Sequence, residues 1–440
     1  MRGAAGEYPL DAATTFAVGV ALANWVRDHP AAPGLETVPE VVIGMDTRES
    51  GPLIAESVAG GLASRGVAAR FAGLITTPGI AHVTRTGPFA AGVMISASHN
   101  PYRDNGIKII DHSGFKLPDE QEQVLERDIF AFLESGAPAV PKTLVVDEGL
   151  DLEYIEYLAG MLPAGLAGMK LVVDAAHGAA SFLAPALFKR LGATVDCIGC
   201  APDGKNINLG CGSLHLEGLR DRVLSSGADV GVAFDGDADR ALFISHLGKI
   251  VDGDAVLLVT ALRLHAAGRL TEVIATVMSN LGLERALKRH GIGLVRTPVG
   301  DKYVLQEMER RHAPLGGEQS GHIIFRDYAT TGDGLLTALR VFEAMHDSGK
   351  DLDALTCELE TYPQLLVNVR VRNKRPLEEL DEANREIRTA EAEFGDAGRI
   401  LVRFSGTEPL ARVMVEGPEL ARVEHFAHSI AAAIQAELGE

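Results

Sequence analysis

Residues 91–108, AGVMISASHNPYRDNGIK, hold an apolar run that stops abruptly in polar residues. Residues 91–95 read as a buried strand, because a short continuous apolar run bounded by turn formers is the signature of one. Two serines, a histidine, an asparagine and a proline then crowd into one turn, and Lys108 follows ten residues after Ser98. Ser, Asn, Pro, Asp and Gly form turns in their own right. The plain reading is therefore a strand-end turn. The sharper one makes Ser98 a nucleophile on that turn, beyond the carboxyl end of a strand, where open α/β sheets bind ligands.

The same grammar recurs on both sides. VVIGMD (41–46) reads as a strand followed by the loop TRESG and a helix from Pro52. After a proline-bounded break, APAVPKT (137–143), LVVDAAHGAAS (171–181) is strand then loop, and SFLAPALFKRLG a helix. GVAF (231–234) is a strand ending in DGDADR, and ALFIS (241–245) another. From Gly253 come a helix at AVLLVTALRLHAAG, a strand at EVIATV, a helix at LERALKRHG and strands at GLVRTPV and GHIIF, closed by the helix GLLTALRVFEAMHD. Short β-rich runs alternating with helical ones predict α/β units. The last eighty residues differ: an alternating strand LLVNVRV (365–371), a long charged helix PLEELDEANREIRTAEAEFG, strands RILVRF and ARVMVEG around SGTEPL, and a final helix. That order predicts a small α+β domain with an antiparallel sheet.

Composition narrows the function. The 440 residues are 46% hydrophobic and 23% charged, ordinary for a globular protein, and carry a formal net charge of −19. So acidic a chain argues against nucleic acid or an anionic membrane as the main partner. No secretory signal and no run of about twenty apolar residues is visible. Four cysteines do not make a disulfide framework, and a cytoplasmic location is expected. Cys197 and Cys200 form a CxxC, but APDG follows where a redox helix would start, and a zinc site lacks its fourth ligand.

Three further loops carry chemistry. In FDGDADR (234–240), Asp235, Asp237 and Asp239 alternate directly after an apolar strand. Three carboxylates so close repel one another unless a cation sits among them, and hard oxygen ligands suit Mg²⁺ or Ca²⁺. An EF-hand fails, because its glycine position is Arg240 and its closing glutamate position His246. GGEQSGH (316–322) offers Glu318 and Ser320 to sugar hydroxyls and His322 for a proton, though a glycine-rich hairpin explains it equally well. RFSGTEPLAR (403–412) combines Arg403, Ser405, Gly406 and Thr407 in a tight loop, suited to a phosphate or simply a β-turn between arginines. Nucleophile, cation, hydroxyls and phosphate together fit phosphoryl transfer. A serine hydrolase built on Ser98 and His99 is the rival class, but no GxSxG elbow exists.

These four loops, in this order, resemble those of the α-D-phosphohexomutases. The resemblance implies three related α/β domains with mixed sheets and a smaller C-terminal α+β domain around a central cleft. The expected boundaries are 1–143, 144–248, 249–360 and 361–440. Ser98 would carry a phosphoryl group, with Lys108, His99 and Arg240 beside it and Lys108 a candidate proton shuttle. Asp235, Asp237 and Asp239 would bind Mg²⁺ together with an oxygen on Ser98. Glu318 and Ser320 would hold sugar hydroxyls, and Arg403, Ser405, Gly406 and Thr407 the phosphate that does not react. Arg48, in DTRESG, would be a further cleft arginine. Gln319, with PDGKNINLGCGSLH (202–215), VGDKYVLQEM (299–308) and RVMVEG (412–417), is similar to the amino-sugar branch. That branch implies interconversion of glucosamine 6-phosphate and glucosamine 1-phosphate through glucosamine 1,6-bisphosphate. A glucose- or mannose-phosphate mutase, or a sugar-phosphate-binding protein without catalysis, is the alternative. The expected partner is a small-molecule sugar phosphate, with no nucleic acid and no membrane; a homodimer is left open. Members usually begin with a strand of the type FGTDGIRG, matched here only by Arg2-Gly3, so the start is expected to be shortened. Arg2 is implied near the phosphoserine, and at a free terminus it is expected to be mobile.

Overall fold

The computed structural model describes residues 1–29, 38–405 and 408–439. The chain forms two compact units, Met1–Val277 with Val295–Thr356, and Met278–Leu294 with Cys357–Glu440.

Three sheets carry the α/β part. The first contains β1 (Arg2–Ala4), β2 (Glu40–Met45), β3 (Ala68–Leu74), β4 (Phe89–Ile95) and β5 (Asp104–Asp111), ordered β1-β5-β4-β2-β3. The second contains β6 (Lys170–Asp174), β7 (Thr194–Ile198), β8 (Val230–Phe234), β9 (Ala241–Ser245) and β10 (Ile250–Val251), ordered β10-β9-β8-β6-β7. The third contains β11 (Glu272–Thr276), β12 (Gly293–Thr297), β13 (Leu315–Gly317) and β14 (Ile323–Phe325), ordered β12-β11-β13-β14. Every residue of β4, β8 and β13 is buried, which is why these strands read as continuous apolar runs rather than alternating ones.

The three sheets share one topology. Four successive strands lie in the order fourth, third, first, second, and the fourth runs antiparallel to the third. The chain therefore turns from a parallel strand to an antiparallel one at the same corner of each sheet: β4 to β5, β8 to β9, β13 to β14. Those three corners are the serine loop, the acidic loop and the glycine-rich loop. The mixed sheets expected from the sequence are present, and their common topology makes the three units related.

At the N-terminus the expectation of mobility is not met. Arg2 pairs with Gly106 on β5, and the Met1 ammonium donates to the Ile107 carbonyl at 3.2 Å. Backbone pairing to an ordered strand fixes Arg2 despite its nearness to the terminus.

In the other unit, β15 (Gln364–Arg370), β16 (Arg399–Phe404) and β17 (Leu410–Glu416) form an antiparallel sheet ordered β15-β17-β16. Helices Asp381–Phe394 and Leu420–Leu438 cover it, with Phe394 and Phe426 packed edge to face. The charged helix starts at Asp381 rather than Pro376, because Leu380 leaves helical geometry to enter the core. Helix Leu281–Arg289 joins this unit: Leu281 N–H donates to Glu416 at 2.7 Å and Asn280 Nδ2 to the Tyr362 carbonyl at 2.9 Å.

Candidate active site

The serine loop leaves β4 under tension. Ser98 is 4% exposed and has φ +54°, a left-handed conformation uncommon for a residue with a Cβ. Its N–H donates to Ser96 Oγ at 2.9 Å, and Ser96 Oγ donates to Asp46 Oδ2 at 2.6 Å. Its own Oγ donates to Asp235 Oδ2 at 2.7 Å and lies 3.3 Å from His99 Nδ1. The structure thus brings together a buried hydroxyl and the acidic loop, 137 residues apart in sequence.

Arg48 does not fit the expectation of a cleft arginine. It is 1% exposed, and its Nε donates to Asp46 at 2.9 Å. Its NH1 donates to the carbonyls of Pro101 and Asp104, its NH2 to those of Ser98 and Asn100. All five donors of the guanidinium are taken by protein acceptors, so none remains for a substrate. Arg48 is instead the interior scaffold of the serine loop. Asp46 and Ser96 share that scaffold, and sequence reading missed both.

Asp235, Asp237 and Asp239 are all buried, and an oxygen from each lies within 4.8 Å of the others. Their loop is held by backbone donors. Ala179 N–H, capping helix Ala180–Arg190, donates to Gly236 at 2.8 Å. Thr77 N–H, opening helix Thr77–Thr86, donates to Asp237 at 3.0 Å. Gly334 N–H, opening helix Gly334–Ser348, donates to Ala238 at 2.9 Å. Thr77 Oγ1 and Lys108 Nζ both bond Asp237 Oδ2. Burial, then the neighbouring Asp239 and Asp237, pushes the Asp235 carboxyl well above the usual carboxylate range. Burial also opposes charge on Asp239, but His322, Lys108 and Arg240 overcome it and hold that carboxyl well below the range. Asp237 Oδ1 and Asp239 Oδ1 are buried with no hydrogen-bond donor. Clustered buried carboxylates with orphaned oxygens are what a hard cation requires, so the residues fit Mg²⁺.

The surrounding basic groups differ in charge. Lys108 is held above its ordinary value, since Asp237 and Asp239 outweigh the opposing effect of burial; it is an ammonium here. His99 is lowered by burial, then by Arg240 and Arg2, which keeps its imidazole neutral. Arg240 stands 3.7 Å from Asp239 with its buried Nε lacking an acceptor, as an anion-binding arginine would. Arg2 reaches Asn100 Oδ1 at 3.4 Å from the exposed side. His322 sits against the acidic loop. Its Nε2 accepts the Gly332 N–H at 3.0 Å, and its Nδ1 lies 3.6 Å behind Asp239. It is placed to orient a carboxylate rather than to exchange a proton with substrate.

The glycine-rich loop is tied to the acidic one: Ala241 N–H, opening β9, donates to Gly321 at 3.1 Å. Within it Ser320 Oγ donates to Glu318 Oε2 at 3.2 Å, and Gly300 N–H to Glu318 Oε1 at 3.2 Å. Both side chains are partly exposed, as ligand-binding groups must be. In the other unit, Arg403 and Arg412 stand directly opposite across β16 and β17. Like charges at that register destabilise a sheet unless an anion or acid intervenes, and Glu408 takes Arg412 NH2 at 2.7 Å. Lys374 bonds the Ser405 carbonyl. Gly406 and Thr407 lie outside the described residues. The four cysteines are unpaired; Cys197 is lowered to about 7 by a hydrogen bond from Cys200. Among the described residues no cysteine joins a metal-binding group.

Four family models match in order: phosphoglucomutase/phosphomannomutase α/β/α domains I, II and III over residues 1–134, 153–248 and 252–362, and the C-terminal domain over 366–433. The chain belongs to the phosphohexomutase family. It is similar to the phosphoglucosamine mutase of Solibacter usitatus, 58% identical over 100% of this chain and 98% of that protein. It is 47% identical to the phosphoglucosamine mutase of Koribacter versatilis, over 100% and 96% of the two chains. A phosphoglucomutase/phosphomannomutase family protein of Burkholderia thailandensis shares the fold at TM-score 0.82 and 25% identity, covering 99% and 96% of the chains. An N-acetylphosphoglucosamine mutase of Aspergillus fumigatus, solved with GlcNAc-6P and magnesium, shares it at TM-score 0.62 and 18% identity, over 82% and 91%. Among the described residues no helix is long and apolar enough to cross a membrane.

Proposed function

We propose that the chain interconverts glucosamine 6-phosphate and glucosamine 1-phosphate through a phosphoserine at Ser98. The observation that carries this reading is the 2.7 Å hydrogen bond from Ser98 Oγ into a buried triad of carboxylates. The amino sugar is supported by Gln319 and by the whole-length relatives named phosphoglucosamine mutase.

Phosphorylated Ser98 gives its phosphoryl group to the free hydroxyl of the bound sugar phosphate. The P–Oγ bond breaks, a P–O bond to the sugar forms, and the hydroxyl proton leaves to a base. Glucosamine 1,6-bisphosphate results, and after reorientation its other phosphoryl group returns to Ser98. On that return Ser98 Oγ must lose its proton; Asp235 Oδ2, at 2.7 Å, and neutral His99, at 3.3 Å, are the acceptors in reach. Lys108, an ammonium paired with Asp237, acts as a donor and a fixed charge. Mg²⁺ on Asp235, Asp237, Asp239 and a phosphoserine oxygen would neutralise charge on the transferred group. Arg240, with its free Nε, faces the same charge. Glu318 and Ser320 hold sugar hydroxyls, and Arg403 and Ser405, with Gly406 and Thr407, hold the phosphate that is not reacting. The domain division 1–143, 144–248, 249–360 and 361–440 gives each α/β unit one corner loop of this chemistry. Four unpaired cysteines accord with a cytoplasmic location.

The test is turnover of glucosamine 1-phosphate against glucose 1-phosphate and mannose 1-phosphate, with Mg²⁺ and a priming hexose 1,6-bisphosphate. Preference for the amino sugar is the expected result. Preference for glucose or mannose phosphate would overturn the substrate and keep the mechanism; no turnover of any would overturn both.

A further inference from the structure

We propose that Asn208 is the positioning residue of the nucleophile: from the second α/β layer it clamps the Ser98 loop in the conformation that aims Oγ at the acidic triad. The proposal rests on Ser98 being the phosphoryl carrier.

Asn208 lies in the segment PDGKNINLGCGSLH, for which the reaction above has no use. Its φ is +59°, a left-handed geometry that asparagine tolerates better than most residues. Its N–H anchors it to its own layer, donating to the Ala176 carbonyl at 2.9 Å. Its side chain leaves that layer. Nδ2 donates to the Ser98 carbonyl at 2.9 Å and to the Asn100 carbonyl at 3.1 Å. An amide nitrogen has two hydrogens, and both are used on the serine loop.

The same two carbonyls accept Arg48 NH2, at 3.0 and 2.9 Å. A carbonyl oxygen has two lone pairs, so each is fully satisfied, by Arg48 and by Asn208. Saturation of this kind explains how Ser98 is held at φ +54°, since a strained backbone persists only where its surroundings over-determine it. Released from one side, Ser98 can relax towards the extended region and carry Oγ away from Asp235. The clamp also sits where the loops meet: a Cβ added to Gly236 of the acidic loop would stand 2.4 Å from the Ser98 carbonyl oxygen and 3.0 Å from Asn208 Nδ2. Serving both carbonyls from this side takes two donors on one atom. Aspartate would set acceptors against acceptors, and histidine would keep one donor.

The experiment compares the full-length chain with Asn208→Gly, which keeps the left-handed backbone, and with Asn208→Asp and Asn208→His. The first readout is the rate at which Ser98 takes phosphate from a hexose 1,6-bisphosphate with Mg²⁺, followed by intact-mass spectrometry. The second is kcat and KM for the sugar monophosphate. The expected result is loss of phosphorylation rate and kcat by about 10²-fold in Asn208→Gly and Asn208→Asp, a smaller loss in Asn208→His, and little change in KM, since misplacement of about 1 Å has that effect. Arg48→Lys combined with Asn208→Gly should lose less than the product of the single losses, because the two residues share acceptors. Phosphorylation at the wild-type rate in any variant lacking both donors overturns the proposal, as does a loss confined to KM or losses that multiply. Should Asn208→Gly fail to fold, the nearly isosteric Asn208→Asp carries the same reading. A wild-type protein that phosphorylates Ser98 but turns over a different sugar overturns the substrate and leaves the clamp standing; one that never takes phosphate overturns both.

Discussion

Replacing Gly236 by alanine tests whether the serine and acidic loops must touch. Gly236 follows β8 in the turn that carries Asp235 and Asp237. An added Cβ would stand 2.4 Å from the Ser98 carbonyl oxygen and 2.9 Å from Ile207 Cδ1. Carbon and oxygen settle at about 3.3 Å, so the loops must part by about 1 Å. The atom in the way is no flexible side-chain end. It is a backbone carbonyl already bonded by Arg48 and Asn208. Gly236 is not among the left-handed glycines, so alanine meets no backbone penalty and the effect is steric. Overpacking of this kind costs about 1–3 kcal/mol of stability. Parting Ser98 Oγ from Asp235 by about 1 Å lowers kcat by about 10²-fold. Steady-state turnover with Mg²⁺ and a priming bisphosphate reads the second effect, a thermal melt the first. Gly218→Ala is the control: it is helical and exposed with nothing within 4 Å, and gains up to about 1 kcal/mol. A Gly236→Ala enzyme with wild-type kcat refutes the reasoning, whatever its melting temperature.

Ser98→Ala removes the phosphoryl carrier, so turnover should fall to the uncatalysed background and no phosphate should appear on the protein by intact mass; a near-normal rate would sink the mechanism. Chelation should abolish activity, and added Mg²⁺ should raise the melting temperature, by about 2.7 kcal/mol of stability at a hundred times the Kd. Asp237→Asn should lose most of that rise in a calorimetric scan; an unchanged rise would mean that the cation binds elsewhere. His82 is lowered to about 4, by burial and then by Arg85, against Tyr154 and Tyr157. Its folded value lies below its unfolded one near 6.5, so the unfolded chain binds the extra proton. The stability tied to His82 is present above about 6.5 and lost as pH falls towards 4, and denaturant melts of His82→Phe should lack that part of the decline; parallel curves for the two proteins would refute it.

How much of this was legible in the sequence follows from how local each feature is. The strand before each polar loop is a run of buried apolar residues, and the alternation of Asp235, Asp237 and Asp239 is written within five positions. Both could be read directly. Arg48 could not, because TRESG looks like a solvated turn; its burial is set by carbonyls about fifty residues away. His322, in GGEQSGH, reads as a group that could transfer a proton, and only the fold puts it behind Asp239. Thr77, which bonds Asp237 through its hydroxyl and its N–H, opens a helix 160 residues earlier and carries no local signal. The common corner of the three sheets needs strand order, which no stretch of sequence contains.

The acidic loop shows why those long-range partners matter. At an effective dielectric near 20, two charged carboxylates separated by the 4.8 Å limit found here repel by about 3–4 kcal/mol, and there are three pairs. Each of the three α/β units sends a helix N-terminus to the loop, at Thr77, Ala179 and Gly334. A helix end offsets about 0.3–1 kcal/mol of negative charge, so three together do not balance the repulsion. Full positive charges have to be added. Lys108 meets Asp237 and Arg240 stands beside Asp239, yet Asp237 Oδ1 and Asp239 Oδ1 still lack a donor. Asp235, raised by burial and then by Asp239 and Asp237, is left with a carboxyl that favours its proton and takes the Ser98 hydroxyl's hydrogen bond. The protein has thus built a loop whose carboxylates its own charges only partly neutralise, with two acceptor oxygens left for a cation and the Asp235 carboxyl against Ser98.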